Sequence, residues 1–218
     1  SFKDLEKYDE NGVAYKYTVQ EKAVEGYGTT VDGFDITNVR TGKTDVTGTK
    51  TWKDDNAEDR PKSITVELVQ NGKVIDSKEV TAETDWKYSF KDLEAYDENG
   101  VAYKYTIQEE TVEGYETTVD DFDITNVRTG ETDVSGTKTW KDDKAKDRPD
   151  SIKVNLLQNG IVIDTKEVTE KDNWKYRFTD LEKYDDEGVA YEYTVKEQSV
   201  PGYQSEVKGY DITNTRSE

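Results

Sequence analysis

Residues 45–55 read DVTGTKTWKDD, and nearly the same stretch returns at residues 133–143 as DVSGTKTWKDD. The two stretches are 88 residues apart. The tripeptide Ile-Thr-Asn keeps the same spacing, because it ends at Asn38, Asn126 and Asn214. A unit of this length is too long for a solenoid repeat of about 20–50 residues, and it is long enough for a domain with its own core. The sequence therefore predicts tandem domains.

The repeated pattern ends three times but begins only twice. Residues 1–40 match residues 89–128 at 34 of 40 positions, so they correspond to the second half of a unit. We predict complete domains at residues 43–128 and 131–216, preceded by the C-terminal half of a truncated repeat at 1–40. The connecting segment 127–133 is short and contains a single Gly, which predicts limited bending between domains. We expect a monomer, with residues 1–40 unfolded unless another chain supplies the missing strands.

Apolar and polar residues alternate within each unit at a period of two. This alternation is clear in SITVELVQ at residues 63–70 and in VAYKYTIQE at residues 101–109, both of which we predict to be strands. An Asn-Gly pair follows the first stretch at Asn71, and another precedes the second at Asn99, as expected for hairpins. With about seven short strands per unit and no helical periodicity, we predict an all-β fold of tandem antiparallel β-sandwiches of immunoglobulin-like type.

The composition excludes several classes of chemistry. The chain has 218 residues, with 30 Lys and Arg, 49 Asp and Glu, no His, Cys or Met, and a formal net charge of -19. Disulfides, zinc sites of Cys or His, and Cys or His nucleophile triads are excluded because their side chains are missing. The acidic charge disfavours nucleic acid and anionic membranes as partners. No apolar run approaches the roughly 20 residues that cross a bilayer.

Three strands of each unit place one polar residue on an apolar face. Lys50 shares a face with Trp52. Glu109 continues the apolar face of strand 101–109, and Asn126 lies on the apolar face of the last strand. Taken singly, these are ordinarily a snorkelling Lys, a solvated Glu and a capping Asn. All three recur together in the second unit, as Lys138, Glu197 and Asn214. We therefore predict that the three residues of each unit meet in the interior and satisfy one another's polar groups.

Burial of these three residue types together allows a specific reaction. Desolvation disfavours both charged forms, so a Lys–Glu pair can relax to a neutral amine and a neutral acid. The amine is then a nucleophile, and the carboxamide carbon of Asn is its electrophile. The protonated Glu can hydrogen-bond the carboxamide oxygen and pass protons to the leaving ammonia. The predicted product is a Lys–Asn isopeptide crosslink, which forms once per domain without enzymatic turnover.

The motifs resemble a known family. GTKTWKDD is followed by Arg-Pro, by Leu-x-x-Asn-Gly, by an aromatic strand ending in Glu, by Gly-Tyr and by Ile-Thr-Asn. This order closely resembles the Cna B-type (CnaB) domains of Gram-positive surface proteins over nearly the whole chain. The resemblance implies a reverse immunoglobulin-like, prealbumin-like sandwich and an intramolecular isopeptide bond assisted by an acidic residue. By motif position, Glu109 and Glu197 are the proton shuttles of two crosslinked pairs, Lys50 with Asn126 and Lys138 with Asn214.

The truncated repeat retains only part of this set. Glu21 and Asn38 match the acid and the amide by motif position. Their Lys would lie in the half of the repeat that this chain lacks, so we expect no isopeptide bond at this pair within the chain.

The resemblance also implies a function, namely a rigid stalk that projects a ligand-binding domain from the cell wall of a Gram-positive bacterium. The expected partners are neighbouring repeats and that ligand-binding domain, with no nucleic acid and no membrane insertion. The near-identity of the units favours a spacer over the alternative, a repeat module that itself binds a host matrix protein. A glycosidase is disfavoured, because a small sandwich without an evident cleft offers no substrate pocket.

The acidic stretch at residues 54–59 resembles a calcium loop, but its sixth position is not Gly. The second copy carries Lys144 and Lys146 at ligand positions. We therefore expect a solvated loop, no metal and no cofactor.

Overall fold

The computed structural model describes residues 1–217, and its regular structure consists almost entirely of strands. Two short 3-10 turns, Ala82–Thr84 and Glu170–Asp172, complete it. Among the described residues, no helix is long and apolar enough to cross a membrane. The prediction of an all-β fold is confirmed.

Each complete repeat contains seven strands. In the first repeat they are β3 (Lys43–Lys53), β4 (Ser63–Gln70), β5 (Lys73–Thr81), β6 (Lys87–Glu94), β7 (Tyr105–Glu109), β8 (Tyr115–Asp120) and β9 (Asp123–Arg128). In the second they are β10 (Glu131–Lys141), β11 (Ser151–Gln158), β12 (Ile161–Thr169), β13 (Lys175–Glu182), β14 (Tyr193–Glu197), β15 (Tyr203–Lys208) and β16 (Asp211–Arg216). Residues 1–40 contribute one antiparallel pair, β1 (Tyr27–Asp32) and β2 (Asp35–Arg40).

The second repeat forms two sheets around one core. The strand orders are β13-β10-β16-β15 and β12-β11-β14. The alternation within the strands sends one set of side chains inward, as in β11, where every second residue from Ile152 to Leu156 is buried. The buried apolar side chains come from both sheets: Val134, Ile152, Val154, Leu156, Val168, Tyr176, Phe178, Tyr193, Val195 and Ile212. Removal of this apolar surface from water is the main favourable contribution to folding.

One strand pair in each four-stranded sheet is parallel, although the ladders around it are antiparallel. The first strand of the second repeat, β10, pairs antiparallel with β13 and parallel with the last strand, β16. In the same way, β3 pairs antiparallel with β6 through residues 43–49 and parallel with β9 through residues 50–53. The first and last strands of a repeat therefore lie side by side and run in the same direction. This pairing could not be read from the alternation of residues.

The hairpin predicted at Asn71 is confirmed, whereas the Asn-Gly pair at Asn99 lies in a turn closed only by the isolated bridge between Tyr96 and Ala102. Asn71 and Gly72 both have positive φ, 48° and 84°, as a two-residue turn between β4 and β5 requires. Asn159 and Gly160 adopt the same angles between β11 and β12.

The strand predicted at residues 101–109 is too long, because β7 begins only at Tyr105. The preceding residues form a turn in which the Asp97 carboxylate accepts hydrogen bonds from the backbone of Asn99 and Val101. Ala102 makes only an isolated bridge to Tyr96. Local side-chain bonds of this kind compete with the sheet ladder, which explains the late start.

The chain divides into two compact units, residues 1–49 with 65–110, and residues 50–64 with 111 onward. The whole of residues 131–216 lies in the second unit. In the first unit, most side chains of residues 1–40 are exposed. Ile36 is 44% exposed, whereas its counterparts Ile124 and Ile212 are both 0% exposed.

Candidate functional site

The parallel pair β10 and β16 brings Lys138 and Asn214 to the same face of their sheet. Lys138 is aligned with Ile212, and Trp140 is aligned with Asn214. Lys138 is therefore the diagonal neighbour of Asn214, a separation that a long side chain can span. Both residues are buried, at 2% and 0% exposure.

Glu197 reaches this pair from the other sheet. It is the last residue of β14, and β14 pairs with β11 so that Glu197 is aligned with Val154, which is itself fully buried. Glu197 Oε2 lies 3.9 Å from Lys138 Nζ, and the two side chains are 1% and 0% exposed. The structure thus places the predicted acid beside the predicted amine in the core.

The hydrogen bonding of these groups is incomplete. Lys138 Nζ donates to the backbone oxygen of Thr139 at 3.1 Å and lies 3.6 Å from the centroid of the Trp140 ring. Within residues 1–217, neither the Glu197 oxygens nor the carboxamide atoms of Asn214 make a hydrogen bond of standard geometry. Buried polar groups are nearly always bonded, and exceptions mark sites that need an explanation.

Burial also shifts the protonation of the acid and the amine. It lowers the pKa of the Lys138 ammonium to about 8, and the neighbouring Glu197 carboxylate opposes this fall. The Arg148 cation lowers the Lys138 pKa further. Burial raises the pKa of the Glu197 carboxyl, although the neighbouring Asn214 amide and Lys138 oppose the rise. Both main shifts favour the uncharged amine and the uncharged acid.

The first repeat carries the same arrangement on its own parallel pair. Lys50 is aligned with Ile124 and Trp52 with Asn126, which repeats the register of the second repeat. Lys50 is 3% exposed, Asn126 is 0% exposed, and Lys50 Nζ lies 3.8 Å from the centroid of the Trp52 ring. Glu109 ends β7 and is half-buried.

Glu21 and Asn38 also lie close together, in the truncated repeat. The Thr29 hydroxyl contacts Glu21 Oε1 at 3.0 Å and Asn38 Oδ1 at 2.9 Å. Asn38 is exposed here, whereas its counterparts in the complete repeats are fully buried. The acid and the amide are therefore brought together, but not in a dry interior.

A group that the sequence reasoning missed packs against the same tryptophan. The Asp142 carboxylate, whose side chain is 0% exposed, accepts two hydrogen bonds from Arg148 and one from Tyr203. The Arg148 guanidinium lies 5.3 Å from the centroid of the Trp140 ring, and the Tyr203 ring packs edge-on against that ring at 4.9 Å. The first repeat has the same group: Asp54, Arg60, Tyr115 and Trp52. Its sequence signal was the Arg-Pro dipeptide that follows the acidic loop in both units.

This group corrects the prediction that the acidic loop at residues 54–59 is solvated, because the first residue of the loop is buried. Its first carboxylate, Asp54, is buried and bound to Arg60, whose hydrogen bonds lower the pKa of Asp54 to about 2. In residues 1–217, no three carboxylate, imidazole or thiol groups converge as a metal site would require. Asp54 is thus a structural anion that holds the Arg-Pro segment.

Comparison with known proteins places this geometry in a family. The family model described as the Cna protein B-type domain matches residues 1–39, 46–127 and 134–215. The collagen adhesin of Staphylococcus aureus is 44% identical over 226 residues, which cover 98% of this chain and 19% of the adhesin. The chain thus spans about a fifth of that relative's length.

A solved structure gives the same result. A crystal structure of two B repeat units of the collagen binding protein of Staphylococcus aureus is 41% identical, with a TM-score of 0.50, over 99% of this chain and 61% of that chain. A single B repeat unit of the same protein is 37% identical, with a TM-score of 0.39, over 81% of this chain and all of that one. The chain belongs to the Cna B-type domain family.

Proposed function

We propose that this chain is a stalk segment of a Gram-positive surface adhesin, in which an intramolecular Lys–Asn isopeptide bond staples each complete repeat. The observation that carries the proposal is the contact of Lys138 with Glu197 in the core, next to the buried Asn214 amide. Leaving three such groups inside a sandwich without a reaction would cost stability, because each loses its hydration.

The reaction follows from the positions and protonation of the three side chains. The neutral Lys138 amine attacks the Cγ atom of Asn214, and Glu197 in its acid form donates a hydrogen bond to the carboxamide oxygen. Glu197 then relays a proton from the amine to the amide nitrogen, which leaves as ammonia. One N–C bond forms, one N–C bond breaks, and Glu197 ends in its original protonation state. Lys50, Glu109 and Asn126 take the same roles in the first repeat.

The crosslink would change how a repeat carries tension. It joins the first strand to the last strand, so residues 139–213 lie outside the shortest covalent path through the second repeat. Extension of that repeat would then require a covalent bond to break. By analogy with disulfide loops, closing a loop of this size would stabilise the folded repeat by about 4.5 kcal/mol.

Intact-mass spectrometry of the purified chain tests the proposal. The expected mass is lower than the sequence mass by two ammonia molecules, and Lys50→Ala should leave a deficit of one. Fragmentation should link the peptide that contains Lys138 to the peptide that contains Asn214. A mass equal to that of the unmodified sequence would overturn the proposal.

The location and partners are proposed from the family. The matched relatives are repeats of an adhesin, so we place this chain at the extracellular surface, anchored to a cell wall and in line with neighbouring repeats and a ligand-binding domain. The alternative is that the repeats themselves bind a matrix protein. Titration of the chain with collagen by surface plasmon resonance separates the two, because only the alternative predicts saturable binding.

The truncated repeat gives a further proposal about partners. Its apolar positions are exposed where the complete repeats bury them, as Ile36 shows against Ile124. We propose that the first half of a repeat covers this face, supplied by another chain. Because β1 and β2 pair with each other in this chain, the test compares them with β8 and β9. Protection of the β1 and β2 amides equal to that of β8 and β9, in this chain alone at high dilution, would contradict the proposal.

A further inference from the structure

A contact that recurs every 88 residues joins the end of one repeat to a turn of the next. The guanidinium of Arg128, the last residue of β9, lies 5.1 Å from the centroid of the Tyr184 ring. Arg40, the last residue of β2, lies 4.8 Å from the ring of Tyr96 in the same manner. Arginine stacked on an aromatic face is a favourable contact that also restricts both side chains.

Arg128 also has an acidic partner within its own repeat. Arg128 Nη2 donates to Asp59 Oδ2 at 3.0 Å, which helps to hold the guanidinium in place. Comparison with Arg216 shows how much the contact with Tyr184 reduces the exposure of Arg128. Arg216 is paired with Asp147 in the same way, yet its side chain is 43% exposed, compared with 25% for Arg128.

The turn at residues 185–189, which follows Tyr184, is held by its own hydrogen bonds. The Asp185 carboxylate accepts hydrogen bonds from the backbone of Glu187 at 2.8 Å and of Val189 at 3.0 Å. Glu187 Oε2 then lies 3.3 Å from Lys53 Nζ, at the end of β3 in the preceding repeat. Because β3 and β9 are parallel neighbours, Lys53 and Arg128 lie at the same end of their sheet.

Gly188 lies directly against the backbone of the preceding repeat. A Cβ atom at this position would overlap the backbone carbonyl oxygen of Lys53. Gly12, at the same place in the truncated repeat, has the same φ of 77°, but a Cβ atom there would meet nothing within 4 Å. The neighbouring repeat therefore requires glycine at position 188 independently of the turn itself.

The two connecting residues leave little freedom between the repeats. Thr129 N donates to Gly114 O at 3.0 Å in the preceding repeat, and Gly130 O accepts from Lys183 N at 2.9 Å in the following repeat. The same bonds recur 88 residues earlier, from Thr41 to Gly26 and from Ala95 to Gly42. A linker whose backbone is bonded on both sides cannot act as a flexible hinge.

We infer that Arg128, Tyr184 and Gly188 are the centre of a built interface between neighbouring repeats. Arg128 belongs to the preceding repeat. Tyr184 and Gly188 belong to the following repeat, at the Asp-x-x-Gly turn that precedes β14. The interface holds neighbouring repeats in one arrangement, and it does so whether or not the isopeptide bonds form. In repeat proteins, such nearest-neighbour contacts add to the stability of the single units.

Double electron–electron resonance on the full chain tests the inference. The protein has no Cys, so Lys62→Cys and Thr165→Cys introduce one spin label in each complete repeat at exposed positions. We expect one narrow distance distribution in this parent. Arg128→Gln and Gly188→Ala should each broaden it. The matched controls Arg216→Gln and Gly12→Ala should leave it narrow, since they alter an equivalent Arg–Asp pair and an equivalent glycine without a neighbouring repeat.

Two results would overturn the inference: a broad distribution in the parent, or distributions for Arg128→Gln and Gly188→Ala as narrow as those of their controls. Intact mass measured on the same samples reports the isopeptide bonds separately. The failure of one proposal is therefore distinguishable from the failure of the other. Arg128→Gln changes a partly exposed side chain, so its effect can be measured even if Gly188→Ala impairs folding.

Discussion

Trp140 lies opposite Asn214 in the parallel ladder between β10 and β16, and its indole ring also contacts Lys138 at 3.6 Å. One aromatic side chain thus adjoins both proposed reactants. The same ring also packs against Arg148 and Tyr203. This packing keeps water from the amine and gives a physical reason for the lowered pKa of Lys138.

Replacing the proposed proton shuttle should prevent one crosslink. Glu197→Gln keeps the shape of the side chain but can no longer relay a proton, so we expect bond formation in the second repeat to slow by about 100-fold or more. The mass deficit should fall from two ammonia molecules to one. Glu192→Gln, on the exposed face of the same strand region, is the control and should keep both losses.

Loss of the crosslink should lower stability in the affected repeat only. Asn214→Ala removes the electrophile, and we expect the free energy of unfolding of residues 131–216 to fall by about 4.5 kcal/mol through the lost loop closure. Hydrogen exchange resolved by mass spectrometry can follow each repeat separately in urea. If the exchange protection of residues 131–216 were unchanged, the bond would not contribute in this way.

The buried amine should reveal itself in the pH dependence of an uncrosslinked repeat. In the folded chain Lys138 has a pKa of about 8 as a free amine, against 10.5 for an unperturbed Lys, and Asn214→Ala should keep this amine free. Between these values the unfolded chain binds more protons, so stability should rise as the pH increases through this window, by up to about 3 kcal/mol. Adding Lys138→Met to Asn214→Ala provides the reference, because other groups also titrate there. Parallel pH profiles for the two variants would exclude a buried, perturbed amine.

The Asp142 and Arg148 pair should be important for the fold of the acidic loop. Arg148→Ala leaves the buried Asp142 carboxylate without its main partner, and we expect a loss of about 2 kcal/mol, reduced from the cost of a fully buried pair because Arg148 is partly exposed. Lys146→Ala, exposed in the same loop, should change little. Thermal unfolding of both variants measures the difference.

Acid should weaken the equivalent pair of the first repeat. The pKa of Asp54 is lowered to about 2 by its hydrogen bonds to Arg60. Its contribution to stability is therefore complete above the ordinary Asp value of 3.8 and is lost as the pH falls towards 2. Asp54→Asn should remove this part of the acid sensitivity. An acid transition identical to that of the unaltered chain would contradict the assignment.

Much of the organisation followed from the sequence alone. The spacing of 88 residues predicted tandem units, and the period of two predicted strands whose inner faces the structure confirms. The parity of the strands pointed Lys138, Glu197 and Asn214 inward, and all three are buried. These inferences succeed because alternation is a local property: in a strand, neighbouring side chains must point to opposite faces.

Only the tertiary structure decided which strands are neighbours. The period of two cannot show that β10 runs parallel to β16, nor that Glu197 comes within 3.9 Å of Lys138 from the opposite sheet. Pairing between distant strands depends on packing of the whole core, which no local pattern encodes. For the same reason, the contact of Arg128 with Tyr184 was not predicted. The Asp142–Arg148 pair is local, with its members six positions apart, and was not predicted because the acidic loop was expected to be solvated. The sequence alone therefore identified the residue types of the proposed reaction and the apolar faces on which they lie, and the fold decided their distances.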